Sequence, residues 1–392
     1  LTSIAPIDVT PRHIPALDGV RGLAVLAVLI LHFTIISPPA GVGGVLVDLA
    51  GLGWAGVDLF FVLSGFLITG ILVDTKGGVS FFRNFYARRS LRIFPLFYAF
   101  LFAVLVVLPA LTHSAPDSLS SKLLTAGYLG NFLMAFGGWE ALPGHTTHLW
   151  SLAVEEQFYL IWPFVIFLFP RTRKFQVCIA IIVGAWFLRV AFHTWWPSGI
   201  PGYVLLPARA DTLAAGGLLA LHVRREGWET RLRPWVGRLA LAGVLLLLLM
   251  IFVDPMSGDG TFTPLHLHVQ MFGYPGVMAL SVALVLWAVL PAIGGRAHPL
   301  VESSVLQRLG RISYGMYLLH IPLRNVLVNR VFPDGQLPQL LGSSLLTQGF
   351  IILAGIGITY VVASASWTYF ESPILRLKRY FESARRPLPD ST

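Results

Sequence analysis

The sequence predicts an all-α polytopic membrane protein with about ten transmembrane helices. Three observations predict it. Of 392 residues, 55% are hydrophobic and only 12% are charged, whereas a soluble domain carries about 25% charged residues. The mean hydropathy is +0.73. Apolar runs of about 20 residues recur along the chain, the length a helix needs to cross a bilayer. Strand-length alternation is absent, which argues against a transmembrane barrel. A cytosolic domain, a disordered chain and a disulfide scaffold are excluded. The single cysteine, Cys178, rules out an internal disulfide and any cysteine-rich metal site.

Glycines, prolines and charges divide the apolar runs into spans. The first, 17–37, is long and carries Arg21 and His32, unlike a cleavable signal peptide. Next come 53–73, 94–112, which is preceded by a basic cluster and broken or kinked by Pro95, and 151–170. They are followed by 175–195, 205–222 and 239–253. The last of these is short but fully apolar, and is the weakest. The final three are 269–293, 312–329 and 347–369. One run, 123–138, is ambiguous because Gly127, Gly130, Asn131, Gly137 and Gly138 interrupt it.

Charge settles that case. If 123–138 does not cross, ten spans put both termini in the cytoplasm. The inner segments then hold 22 of the 28 Lys and Arg residues, and the outer loops hold only Lys122 and Arg330. If it crosses, the 16 inner basic residues from Arg171 onward move outside, against the positive-inside rule. Residues 113–150 therefore read as an outer loop with a re-entrant or interfacial helix. The formal charge of +9 thus marks the inner membrane face, and no nucleic-acid partner is expected. No repeat with a solenoid or inverted-repeat period is present. Residues 1–375 read as one membrane domain, and 376–392 as a basic cytoplasmic tail lying along the inner lipid surface.

Charges inside a bilayer are costly and mark functional candidates. Asp58, Glu155, Glu156 and Asp211 all fall in the outer third of their spans. His32 lies at the same depth on the first span. Arg21 precedes it by 11 residues, about three turns plus 20°, so the two share a helix face about 16 Å apart along the axis. A histidine beside carboxylates acts as a general base whose ring an acid orients. A histidine satisfied within a polar core is the alternative. Adjacent helix positions diverge by about 100°, so one of Glu155 and Glu156 shares the His32 cavity, while the other has Arg189 or Arg209 as an ion-pair partner. Asp211 and Arg209 are two residues apart and need partners elsewhere.

His320, after Tyr314 and Tyr317, reads equally as a functional group or as a polar seam between helices. Ser64, beside Gly65, is a packing serine or a nucleophile. His145, His148, His266 and His268 lie in outer loops without a matching ligand set, so no metal is expected. On a helix, Arg88, Arg89 and Arg92 converge at the inner surface. Their guanidinium forks suit phosphate oxygens, or lipid headgroups.

Read together, these blocks resemble the membrane acyltransferase-3 family, the integral-membrane O-acetylases of lipopolysaccharide, peptidoglycan and other glycans. The resemblance runs from Ile14 to about Pro373. Its blocks, in order, are Asp18-Gly19-Val20-Arg21-Gly22 through His32-Phe33, with ten residues between arginine and histidine; Gly56-Val57-Asp58-Leu59-Phe60-Phe61 through Ser64-Gly65-Phe66; and Arg88-Arg89-Ser90-Leu91-Arg92. Then follow His148-Leu149-Trp150-Ser151 through Glu155-Glu156-Gln157-Phe158-Tyr159, Arg209-Ala210-Asp211, and Ser313-Tyr314-Gly315-Met316-Tyr317-Leu318-Leu319-His320.

The resemblance implies an acyltransferase of the bacterial cytoplasmic membrane, with no bound cofactor. It would move an acetyl group from cytosolic acetyl-CoA to a hydroxyl of a cell-surface or exported glycan or glycolipid. His32 would be the base or a transient acyl carrier, supported by Arg21, Asp58, Glu155 and Glu156. Arg88, Arg89 and Arg92 would hold the donor phosphates. Ser64, His148, Trp150, Tyr159, Arg209, Asp211, Tyr314 and His320 would line the acceptor site or the cavity. Many members carry a fused extracytoplasmic hydrolase-like domain of the Ser-Gly-Asn-His type. These 392 residues leave no room for one, so the expectation is a membrane domain acting alone or with a separate partner. An antibiotic or lipid hydroxyl is an alternative acceptor, and a proton-coupled transporter is the rival class.

Overall fold

The computed structural model describes residues 14–35, 42–113, 117–253, 263–290, 298–331 and 344–381. Arg12 and the tail beyond Phe381 lie outside them. The described residues are helices joined by turns, with no strand among them.

Helix α1, Pro15–Phe33, begins on a proline, whose fixed φ and missing N–H suit a first turn. The short α2, Val42–Gly51, leads through a 3₁₀ turn into α3, Ala55–Thr75. Helix α4, Phe81–Phe102, passes through a π-type turn into α5, Leu108–Thr112. The expected span 94–112 is thus the apolar end of a longer helix whose first turns carry the arginines. Pro95 lies within α4 and does not break it.

Helices α6, Leu119–Ala126, and α7, Gly130–Gly137, have eight residues each. At ~1.5 Å per residue neither crosses a bilayer. They turn about Tyr128, which takes a positive φ of 56°. Next come α8, Trp150–Leu168; α9, Arg171–Trp195; the short α10, Ile200–Val204; α11, Leu206–His222; and α12, Trp228–Val253. The last is a full 26-residue helix, longer than its apolar run. A π-type turn opens α13, Tyr274–Val289, and the amphipathic α14, Ser304–Arg311, precedes α15, Ser313–Val331. The chain continues as α16, Ser344–Ser366, a further π-type turn, α17, Ser372–Leu375, and a 3₁₀ segment, Arg376–Phe381.

Nine helical stretches among the described residues are long and apolar enough to cross a membrane. Helix α15 matches the expected span 312–329 and has 19 residues, enough to cross at ~1.5 Å each. Its His320, Arg324 and Asn325 keep it off a purely compositional count.

The layering follows burial. The α10–α11 stretch, Ile200–His222, lies at the centre and is mostly buried, whereas α9 and α12 are mostly exposed. Helices that stay apolar where they are not packed on protein face lipid. The central crossing of α3 and α11 depends on two glycines. A Cβ on Gly65 would lie 1.9 Å from the Leu213 carbonyl oxygen, and one on Gly216 would lie 2.0 Å from that of Val62. Gly65 therefore permits close backbone approach. Helix α3 runs through it unbroken.

Candidate functional site: two chambers on one helix face

Two cavities flank the Arg21–His32 face of α1. The larger, about 280 Å³, is lined by Arg21, Arg89, Arg92 and Lys378. Facing these cations are Ser64, Glu155, Tyr159 and Tyr314. Glu155 lines this chamber beside Ser64 and Tyr159, and Ser64 is bonded to Tyr159. Arg89 stacks its guanidinium over the Tyr159 ring at 4.2 Å, and its buried Nε has no partner among the described residues. Arg21 is held by Asp18 at 2.6 Å. Tyr314 donates to the Ile93 carbonyl at 2.8 Å, which ties α15 to α4. Four basic side chains against one lining carboxylate make this chamber electropositive.

Lys378 had no signal in the sequence beyond its place in a basic tail. The 3₁₀ segment that carries it packs on α4, with Arg83 over the Phe381 ring at 5.8 Å. The described part of the tail therefore closes on the arginine chamber. Arg88, expected to converge with Arg89 and Arg92, is exposed and does not line the chamber. The three positions span little more than one turn, and only two of them face inward.

The smaller cavity, about 60 Å³, is lined by His32, His148, Trp150, Tyr203 and Tyr317, among others. Three histidines meet beside it. His32 and His320 have ring centroids 4.8 Å apart, and His148 and His320 5.1 Å apart. Their hydrogen bonds assign the tautomers. His320 donates from Nδ1 to the Tyr317 carbonyl at 2.5 Å, which leaves its Nε2 as an acceptor. His32 Nδ1 is 3.0 Å from the Val28 carbonyl and 3.1 Å from His320 Nε2. Both neighbours accept, so the His32 proton sits on Nδ1. The lone pair is then on Nε2, which bonds to no group among the described residues. His148 donates from Nε2 to the Leu318 carbonyl at 3.1 Å. Arg324 donates to the His32 carbonyl at 2.5 Å and so fixes the end of α1. No three-ligand metal set occurs among the described residues.

The expectations for the acids need correction: neither Glu155 nor Glu156 lines the His32 cavity, and Arg189 and Arg209 pair with Asp211 and Asp58 instead. The ring of His32 is oriented by a backbone carbonyl and His320, not by a carboxylate. Asp58 pairs with Arg209 at 2.8 Å, both fully buried. Asp211 pairs with Arg189 at 2.7 Å. Glu155 faces the arginine chamber, and Glu156 lies away from its lining, with Oε1 buried and unpartnered among the described residues. Equal depth in the membrane does not imply equal azimuth, and these acids point to different neighbours. The Arg209 guanidinium lies 4.3 Å from the Tyr274 ring, with Phe61, Tyr203 and Trp150 within 6 Å. That arrangement is a structural clamp between α3 and α11.

Outside the spans, burial pushes His145 below the usual histidine range. Its neutral Nδ1 accepts from Asn325 at 2.8 Å, docking the loop before α8 onto α15.

Comparison with known proteins agrees with this architecture. Residues 14–368 match the family described as an acyltransferase domain, Acyl_transf_3. The peptidoglycan O-acetyltransferase OatA of Listeria monocytogenes is 28% identical over 387 residues, covering 93% of this chain and 56% of that protein. The putative peptidoglycan O-acetyltransferase YrhL of Bacillus subtilis is 28% identical, covering 93% and 55%. The O-acetyltransferase OatA of Staphylococcus aureus is 26% identical, covering 93% and 58%. The chain thus spans a little over half the length of these relatives. No solved structure matches.

Proposed function

Starting from the premise that this chain belongs to the acyltransferase-3 family of multi-pass membrane proteins, we propose that it transfers an acetyl group from acetyl-CoA to a hydroxyl of a glycan, with peptidoglycan as the first candidate acceptor. The relatives' names supply the reaction class and the candidate acceptor. The observation that carries the mechanism is the pairing of the two chambers on one face of α1.

The arginine chamber takes the anionic donor. Arg89, Arg92 and Lys378 meet its phosphates, with Arg21 at the chamber's α1 side. The abundance of basic residues in the loops at that end points to the cytoplasm, where acetyl-CoA is found. His32 serves as the base. Its Nε2 lone pair accepts the proton of the acceptor hydroxyl as the hydroxyl oxygen bonds to the thioester carbonyl carbon. The C–S bond breaks, and the departing CoA thiolate takes up a proton to become a thiol. The imidazolium formed at His32 donates from Nδ1 to Val28 and His320, both already in place as acceptors, so little reorganisation accompanies the charge. His320 is a positioning residue.

The test is transfer of labelled acetyl from acetyl-CoA to peptidoglycan fragments by the purified protein in vesicles. His32→Ala is expected to abolish transfer while the protein still binds CoA. Undiminished transfer by that variant rules out His32 as the base.

A further inference from the structure

The two chambers share a wall formed by Tyr317 and Val57, each of which lines both cavities. The Tyr317 ring stands between the two sets of groups. On the arginine side it meets Phe60, with centroids 6.4 Å apart. On the other side it meets His148 and His320, at 5.5 and 5.6 Å. Its hydroxyl donates to the His148 carbonyl at 2.8 Å and accepts from Ser151 Oγ at 2.5 Å. Both partners belong to the segment that begins α8, while the ring is carried by α15. The ring therefore bridges two helices and cannot swing without breaking two hydrogen bonds.

The proposed reaction makes this wall consequential. Cations hold the donor's phosphates in one chamber, and the base lies in the other. The thioester end of the donor has to meet the wall for the acyl carbon to come within reach of an acceptor beside His32. We propose that Tyr317 is the specificity-determining partition of the transfer: it limits the size of the acyl group that passes and keeps water away from the thioester until an acceptor is bound. The inference rests on the acyl-transfer reading above.

Removing the partition opens a side reaction. A water oxygen bonds to the thioester carbonyl carbon and the C–S bond breaks. The products are acetic acid, which ionises, and free CoA thiol, with water supplying the thiol proton. No further reactant is needed.

The experiment uses the purified chain in vesicles with acetyl-, propionyl- and butyryl-CoA, with and without peptidoglycan fragments. Thiol release and labelled acceptor are both followed. One methylene in an apolar pocket is worth roughly 10–200-fold in discrimination, so Tyr317→Ala is expected to raise the butyryl-to-acetyl ratio of kcat/KM by at least about tenfold. It should also release thiol from acetyl-CoA without acceptor. Tyr317→Phe keeps the ring and should hold the parental ratio. Val57→Ala widens the wall from its other side and should raise the propionyl-to-acetyl ratio with Tyr317 intact.

A residue that only fills space would lower all three donors in proportion and leave the ratios alone. The proposal is overturned if Tyr317→Ala binds CoA normally yet keeps the parental ratios and shows no acceptor-independent thiol release. Should that variant fail to fold, unchanged ratios in Val57→Ala overturn it. A parent that consumes no acetyl-CoA at all removes the underlying acyl-transfer reading and this inference with it. An active parent with flat variants removes the partition alone.

Discussion

The Asp58–Arg209 pair separates a structural from a catalytic role for the second helix's acid. Both side chains are 0% exposed and joined at 2.8 Å. Asp58 Oδ2 and Arg209 Nε and Nη1 have no further partner among the described residues, so the pair holds most of its compensation in that single contact. Asp58→Leu removes the carboxylate and leaves a buried guanidinium with only aromatic faces around it. Breaking a buried pair from one side costs about 3–5 kcal/mol, and cation–π contacts worth about 0.5–2 kcal/mol hold the stranded charge toward the lower end. At roughly 2 °C per kcal/mol for a large domain, the melting temperature should fall by roughly 6–10 °C. The double variant Asp58→Leu/Arg209→Met replaces both charges with apolar groups and should recover most of that loss. Thermal unfolding of the detergent-solubilised protein reads the first effect, and acetyl transfer in vesicles reads its consequence. The reasoning is refuted if Asp58→Leu melts like the parent, or if the double variant is no more stable than the single. If Asp58 instead oriented His32, the double variant would stay inactive however stable it became.

Other outcomes follow from the same geometry. His320→Ala should lower kcat by about 10²-fold, within the range of general-base contributions, and change the pH profile of kcat. His320→Gln returns an acceptor beside His32 Nδ1 and should restore part of the rate; equal loss in both variants would show that His320 only fills space. Arg89→Gln and Lys378→Gln should each weaken CoA binding by about 10–100-fold, the worth of a charge-assisted hydrogen bond. Arg88→Gln should leave CoA binding unchanged, and calorimetric titration distinguishes the three. Gly216→Ala forces a Cβ to within 2.0 Å of the Val62 carbonyl oxygen. It should destabilise the protein by about 1–3 kcal/mol, measured by the same melt.

What could be read from the sequence, and what could not, divides along one physical line. Apolar length and charge are properties of position along the chain, and the bilayer reads them in one dimension. The spans were accordingly legible, from the first helix to the leucine-rich run now seen within α12. Even α15 was legible as the apolar frame around a polar stripe, although composition alone leaves it out. The glycines in 123–138 marked the place where the chain folds back as two short helices. Azimuth and tertiary partners are two- and three-dimensional, and there the reading stopped. Asp58 has the depth of His32, yet its carboxylate points to Arg209. Lys378 looked like topology because charge in a tail serves orientation whether or not the tail folds back.

The Arg21–His32 spacing escaped this limit because both residues lie on one helix, where sequence separation does fix azimuth. Eleven residues return to about the same face some 16 Å further on. The structure places one chamber at each end of that interval, Arg21 in the cationic one and His32 in the other. The spacing is therefore a ruler as well as a motif. A donor anchored by its phosphates at one end needs an extended arm to bring its thioester toward the other, and the pantetheine arm of acyl-CoA has that extended form. Inserting one residue between Arg21 and His32 would turn the histidine through about 100° while lengthening the interval by only ~1.5 Å. Transfer should then be lost while CoA binding at the arginine end persists. A loss of both together would place His32 and the arginines in a single site and remove the two-chamber argument.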